Sequence, residues 1–134
     1  MGLTEIDRQE VVKYRLKKAW NVFAQIPVLI ENKFYATAAN RLYYACYYAA
    51  TALLIKDGFK AHTHSGVKTL LGLHYIMENK IEKTHGKTYN HLFDLRQSGD
   101  YEDLFEVDES DIKPFLEPAE KFIAEIENLI NERA

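Results

Sequence analysis

One stretch of the chain, residues 37–51, places hydroxyl groups and a cation at helical spacing. The gaps between these residues are three or four, so on a helix they share one face. The set comprises Thr37, Arg41, Tyr44, Tyr48 and Thr51, with Asn40 and Tyr47 beside it. One interpretation is that these groups hydrogen-bond their neighbours in a half-wet core. The other is a subunit interface, or a site for an anionic, aromatic ligand such as a nucleotide, with Asn40, Arg41, Tyr44 and Tyr48 as the ligand-binding candidates.

A second candidate is the hexapeptide RQSGDY at residues 96–101, which we predict at the end of a helix. The planar guanidinium of Arg96 suits bidentate contact with a phosphate group. Asp100 and Tyr101 follow a glycine, and a tight turn there would let them orient the arginine or act on a substrate. An arginine–aspartate pair near a helix end is also a common structural clamp, so the hexapeptide alone does not select a function.

The other reactive residue types follow no recognisable catalytic or metal-binding pattern. His62 and His64 form an HxH pair, but no acidic or cysteine ligand lies at a matching spacing. His74 falls on an apolar helix face, which is typical of a core histidine, and Cys46 lies in an apolar helix, which favours an inert buried thiol. The sequence has neither a convincing nucleophilic triad nor a glycine-rich phosphate loop. We therefore expect no metal and no cofactor.

Length and composition indicate one small globular domain over residues 1–134. A chain of 134 residues is too short for a second core, and 47% hydrophobic with 13% aromatic residues excludes the disordered class. The single cysteine excludes a disulfide framework. Because the N-terminal residues are charged and polar and no apolar run is long enough to span a bilayer, we expect a cytoplasmic protein without a membrane segment.

The charge of the chain is divided unevenly. Residues 1–99 carry 14 basic and 8 acidic side chains, whereas residues 100–134 carry 3 basic and 12 acidic ones. Solvated helix faces account for such a division. So does an acidic C-terminal helix that docks onto a basic surface while the basic part of the chain faces an anion.

Hydrophobic periodicity predicts helices along the whole chain. The predicted helices are one that begins after Thr4, an apolar central one over Phe34–Ile55, one from Thr63 or Ser65 to about Asn79, a short one over Tyr89–Gln97, and one that begins near Ser110 or Asp111. Together they predict an all-α, up-and-down four-helix bundle with an additional short helix.

Proline and glycine mark the expected interruptions. Pro27 predicts a bend or an early end of the first helix, and Pro118 predicts a kink or a later start of the last one. Gly58 is the expected cap after the second helix. Gly86 predicts a loop between the third and fourth helices, and residues 98–111 are interpreted as a connection.

The run ANRLYYACYYAATALLIKDGFKAHTHSGVKTLLGLHYI, followed by RQSGDY, resembles the HEPN domain family (higher eukaryotes and prokaryotes nucleotide-binding). Three elements occur in the family's order: an Ala-Asn-Arg-x-Tyr-Tyr-Ala helix, a Thr-His-Ser-Gly helix start, and an Arg-x-x-x-Asp-Tyr element before the final helix. The resemblance covers about residues 5–132 and is greatest to the small stand-alone bacterial and archaeal branch.

This resemblance implies a helical bundle that commonly forms a homodimer, and many members pair with a minimal nucleotidyltransferase as toxin and antitoxin. The active branches are metal-independent ribonucleases with an Arg-x(4–6)-His motif brought together across the dimer. Arg96 matches the arginine, but Tyr101 stands where the shortest motif has histidine, with Asp100 before it. Histidine titrates at about 6.5 and tyrosine at about 10, so binding survives this change more easily than catalysis does.

Three functions follow from these observations. The first is a HEPN-type binding module that engages a nucleotide, RNA or a nucleotidyltransferase partner through the Arg41/Tyr44 face and Arg96. The second is a ribonuclease toxin with Arg96, Asp100 and Tyr101 at the catalytic site. The third is a non-catalytic interaction bundle whose acidic C-terminal helix docks onto a basic protein.

Overall fold

The computed structural model describes residues 4–101 and 106–132, and for residues 98–101 it describes the backbone alone. Within these ranges the chain is helical and contains no strand. The helices are α1 (Glu5–Glu31), α2 (Tyr35–Lys56), α3 (His64–Leu71), α4 (Lys83–Tyr101), α5 (Glu109–Ile112) and α6 (Leu116–Glu132). The long helices α1, α2, α4 and α6 form the bundle, which confirms the predicted all-α fold.

Helix α2 lies at the centre and packs against α1, α4 and α6. Several of its alanines, among them Ala38, Ala45 and Ala49, are completely buried and let the neighbouring helices approach closely. Cys46 is also completely buried, and burial raises the pKa of its thiol. The predictions of a central helix and of a buried cysteine are both confirmed. No helix in the described ranges is long and apolar enough to cross a lipid bilayer.

The ends of α1 and α2 test the predicted capping and helix-ending residues. The Thr4 hydroxyl oxygen accepts a hydrogen bond from the Asp7 amide at 3.1 Å and caps α1, as predicted. Gly58 follows α2 with a φ of +83°, also as predicted. The expected early end at Pro27 is wrong, because α1 continues to Glu31. Ile26 is fully buried there, and packing of this last part of α1 outweighs the loss of one backbone donor.

The third helix contains a π-helical turn that moves its buried face by one position. After α3, residues Gly72–Ile76 form this wider turn, and the buried residue is Tyr75. The prediction that His74 belongs to the core is therefore wrong. Its ring instead stacks on Phe59 at 4.4 Å between centroids, and Nδ1 lies 3.7 Å from a Glu78 carboxylate oxygen on the half-exposed surface.

The predicted loop around Gly86 is also wrong, since α4 begins at Lys83 and includes this glycine. A Cβ atom at Gly86 would lie 3.2 Å from the Ile76 side chain, so glycine here permits close helix packing and does not mark a turn. At its other end α4 continues to Tyr101, where we predicted a tight turn and the start of a connection. The predicted short helix over Tyr89–Gln97 is thus the middle of a long one.

The last helix starts in two steps. Asp108 caps α5 in a reciprocal arrangement with Asp111, and a 3₁₀ turn over Lys113–Phe115 then leads into α6. Pro118 lies in the first turn of α6, where its missing N–H has no intrahelical partner to lose. The later start that Pro118 predicted is therefore confirmed.

Candidate functional site

Arg96 of α4 points at the central helix and is only 7% exposed. Its guanidinium carbon lies 4.9 Å from the centre of the Tyr43 ring and 5.9 Å from that of Tyr44. The Phe93 ring, one turn earlier on α4, is also 5.9 Å away. Arginine stacks well on aromatic faces because its planar cation is weakly hydrated and is attracted to the π-electrons. The aromatic rings of α2 and α4 therefore hold a buried cation in a fixed place.

A second arginine approaches the same tyrosine from α2 itself. The Arg41 guanidinium carbon lies 5.0 Å from the Tyr44 ring, and Arg41 donates hydrogen bonds from Nε and Nη2 to the Asn40 side-chain oxygen at 3.2 and 3.1 Å. Asn40 thus fixes the orientation of the Arg41 guanidinium. The structure brings Asn40, Arg41 and Tyr44 together with Arg96, so two guanidinium groups share the half-exposed Tyr44 ring.

A histidine that the sequence did not assign to this site completes it. His64, the first residue of α3, has its Nδ1 atom 2.7 Å from the hydroxyl oxygen of the fully buried Tyr43. Its ring packs against Tyr47 with 4.4 Å between centroids. Thr63 caps α3 by accepting the Gly66 amide at 2.9 Å, which places His64 at the helix start. We call Arg96, Arg41, Tyr43, Tyr44 and His64 the arginine–histidine site.

Burial and the neighbouring cations set the protonation states of this site. Burial, with a smaller effect of the Arg96 charge, lowers the pKa of His64 below its ordinary value and favours the neutral imidazole. Burial raises the pKa of Tyr43 to about 12, against opposing effects of Tyr89 and Arg96. Tyr43 is therefore protonated at neutral pH, and its hydroxyl either donates to or accepts from His64 Nδ1.

The sequence contained a signal for His64 that metal-ligand spacing did not reveal. His64 belongs to the HxH pair with His62, but it also directly follows a capping threonine, in the Thr-His-Ser-Gly helix start. A capped helix start fixes the backbone of its first residue, and the contact with Tyr43 then orients the His64 ring. Tyr43 was passed over because it precedes the predicted Tyr44/Tyr48 face by one residue, whereas the structure buries it toward α4.

The other predicted site residues lie elsewhere or outside the described side chains. Tyr48 is half-buried beneath α1, with Lys18 Nζ 4.9 Å from its ring, and its centroid is 6.0 Å from that of Tyr44. The backbone at Asp100 and Tyr101 continues α4, so the tight turn expected there is wrong. The side chains of these two residues lie outside the described part of the structure.

Comparison with known proteins agrees with this architecture. The family model described as HEPN domain matches residues 12–129. A protein of Thermotoga maritima named UPF0332 protein is 32% identical over 126 residues, which are 94% of this chain and 96% of that protein. A protein of Methanocaldococcus jannaschii named "Putative toxin MJ0605" is 30% identical over 130 residues, or 97% of this chain and 91% of that protein.

A further protein of Methanocaldococcus jannaschii, named "Putative toxin MJ0142", is 26% identical over 123 residues, which are 92% of this chain and 84% of that protein. The family match covers most of the chain, including every residue of the arginine–histidine site. This chain belongs to the HEPN domain family.

Proposed function

We propose that this HEPN chain binds a phosphate group of RNA at the arginine–histidine site and acts as the toxin of a toxin–antitoxin pair. The observation that carries the proposal is the buried Arg96 guanidinium, which lies over Tyr43 and shares the Tyr44 ring with a second arginine, Arg41. A preoriented pair of guanidinium groups suits the bidentate recognition of a phosphate. The half-exposed Tyr44 and Tyr47 rings offer stacking faces for bases.

The test of this proposal replaces Arg96 by methionine, which keeps an apolar stem of similar length under Tyr43. An RNA dinucleotide, which contains a single bridging phosphate, is titrated against the protein and followed by NMR. We expect Arg96→Met to weaken binding about 10- to 100-fold, the range for a lost charge-assisted hydrogen-bond pair.

The matched control is Arg8→Met, because Arg8 lies near Gly58 at the far end of α2. Thermal unfolding of both variants shows whether each remains folded. Equal dinucleotide affinity of a folded Arg96→Met variant and the wild type would contradict the proposal.

The pairing with a second copy and with an antitoxin is the next part of the proposal. Relatives named as toxins support a toxin role, and the family resemblance supports a homodimer and a nucleotidyltransferase partner in the cytoplasm. Sedimentation at micromolar concentration should show a dimer, and co-expression with a nucleotidyltransferase encoded next to this chain should yield a stable complex. A pure monomer contradicts the first expectation.

A second candidate function, RNA cleavage, is favoured by the neutral state of His64 beside Arg96. A neutral imidazole can take the proton from a ribose 2′-hydroxyl, whose oxygen then attacks the adjacent phosphorus. The bond to the 5′-oxygen breaks, that oxygen takes up a proton from solvent water, and a 2′,3′-cyclic phosphate remains. The protonated His64 returns its proton to the solvent. Arg96 would stabilise the charge on the phosphoryl oxygens. His64 then acts as the general base, a role for which Tyr101 is poorly suited because tyrosine titrates at about 10.

Incubation of RNA with wild type and three variants separates the possible bases. If His64 is the base, His64→Gln and Arg96→Ala each reduce the cleavage rate by about 100-fold or more, whereas Tyr101→Phe retains it. If Asp100 and Tyr101 are the catalytic pair, Tyr101→Phe shows the larger loss. Absence of cleavage by the wild type leaves the chain as a binding module.

A further inference from the structure

A basic groove adjoins the arginine–histidine site on one side. It lies between the α3 helix with its π-helical turn and the first half of α4, and its volume is about 630 Å³. Lys68, Lys83 and Lys87 line it, and none of its described lining residues is an aspartate or glutamate. A concave surface with cations alone concentrates anionic ligands.

The groove is continuous with the arginine–histidine site through Phe93. The Phe93 ring also lines the groove. Lys68 Nζ lies 4.7 Å from the centre of this ring, and the Arg96 guanidinium carbon lies 5.9 Å from it. Lys68 is four residues after His64 on α3, so both follow the same face of that helix. The Phe93 ring thus links Arg96 to the first lysine of the groove.

The remaining lysines extend this line of charge along α4. Lys83 and Lys87 are one turn apart, and Asn90 and Phe93 continue their face toward Arg96. With a rise of about 1.5 Å per residue, the distance along the helix from Lys83 to Arg96 is roughly 20 Å. That distance accommodates several nucleotides of an extended strand and exceeds the length of a single mononucleotide.

Apolar side chains beside the lysines provide contacts for bases. Leu73 is 49% exposed and Met77 is 72% exposed, and both line the groove. Gly72 also lines the groove, and the place where its Cβ would stand is open space apart from its own helix. A strip of lysines next to exposed apolar groups matches a single strand, whose phosphates and bases lie on opposite sides.

We propose that a single-stranded RNA bound at Arg96 continues along this groove, with Lys68, Lys87 and Lys83 binding successive phosphates and Leu73 and Met77 contacting bases. The inference rests on the proposed phosphate binding at Arg96 and adds a path for the rest of the strand. It predicts that affinity depends on RNA length, because a dinucleotide at Arg96 does not reach Lys83.

The test measures the salt dependence of RNA binding for the double variant Lys83→Gln/Lys87→Gln. A labelled RNA of about 12 nucleotides, within the range that single-strand binding sites cover, is titrated by fluorescence anisotropy at several salt concentrations. Each phosphate contact contributes about 0.7 to the slope of log affinity against log salt, so the double variant should lose about 1.4 from that slope. The corresponding loss of affinity is about 25-fold at ~0.1 M salt.

The control is Lys13→Gln/Lys17→Gln, which removes two exposed lysines at the same spacing from α1. If the slope of log affinity against log salt decreases equally in both double variants, RNA binding depends only on the total charge of the protein. The proposed path along the groove is then wrong. If Arg96→Met abolishes dinucleotide binding while Lys83→Gln/Lys87→Gln binds the longer RNA like wild type, the groove path fails and the phosphate site stands. If Arg96→Met binds both RNAs like wild type, the phosphate site fails and with it this inference.

Discussion

The two ends of the polar face on α2 have similar residue types but different surroundings. At the N-terminal end, Tyr44 and the adjacent, buried Tyr43 meet Arg96 and His64, which come from two other helices. At the C-terminal end, Thr51 accepts a hydrogen bond from Arg15 of α1 at 3.3 Å and donates one to the Tyr48 backbone carbonyl at 2.9 Å.

The two ends differ in the number of neighbouring helices that contact them. At the C-terminal end, the tyrosine and threonine are held by a single neighbouring helix in contacts that stabilise the α1–α2 packing. At the N-terminal end, two helices supply a cation and a titratable ring that the local contacts hold in place near a half-exposed surface. Periodicity shows that a face is polar, whereas the neighbours from other helices decide whether it holds a ligand.

The largest difference that we expect between the two ends is in stability. Tyr43→Ala removes a fully buried ring that contacts Tyr89, Phe93 and Arg96, and should lower the free energy of unfolding by about 3–5 kcal/mol. Tyr48→Ala removes a half-exposed ring and should cost only about 1–2 kcal/mol. Urea unfolding of both variants measures the difference, and equal losses would show that the two ends are packed alike.

Protonation of His64 provides a smaller and more specific difference. Because folding lowers the pKa of His64, the unfolded chain takes up its proton first, and stability decreases as the pH falls below about 6.5. Burial and the Arg96 charge both lower the pKa of His64, and Arg96→Met removes the second. The pKa should therefore rise toward its ordinary value, while burial continues to lower it. Lys18→Met, at the other end of the face, should leave this pKa unchanged.

NMR titration of the His64 ring in the three proteins gives the comparison directly. The wild type should titrate below the ordinary histidine value, Arg96→Met closer to it, and Lys18→Met like the wild type. A pKa that rises equally in both variants would mean that the general charge of the chain acts on His64, not the Arg96 contact.

The fold was largely predictable because α1 and α6 carry regular apolar spacing. The central position of α2 followed from its composition, and the caps at Thr4 and Gly58 followed from residue type. The loop predicted at Gly86 is wrong because glycine is required there by the close approach of Ile76, and not by a turn. The π-helical turn buried Tyr75 in place of His74, and a one-residue register change of this kind has no clear signal in the spacing.

The candidate site was only partly predictable for a related reason. Arg96 and Tyr44 were both identified from their chemistry, and the structure places them together. His64 was not, because its contact with Tyr43 depends on how the start of α3 packs against α2. Contacts between helices that are distant in sequence depend on packing angles, which a single sequence does not specify. The catalytic roles of Asp100 and Tyr101 remain predictions.

The smallest expected effect tests whether the C-terminal end of the face is purely structural. Thr51 is 7% exposed, and Thr51→Val keeps its shape while removing the oxygen that Arg15 contacts. We expect a loss of about 0.5–1.5 kcal/mol in unfolding free energy, typical of one hydrogen bond, and no change in dinucleotide affinity. Val12→Ala, a substitution in the buried face of α1, provides a control that also weakens the bundle but leaves Arg15 and Thr51 in place. If Thr51→Val weakens dinucleotide binding and Val12→Ala does not, the ligand site extends along the whole face, and the two ends act as one surface.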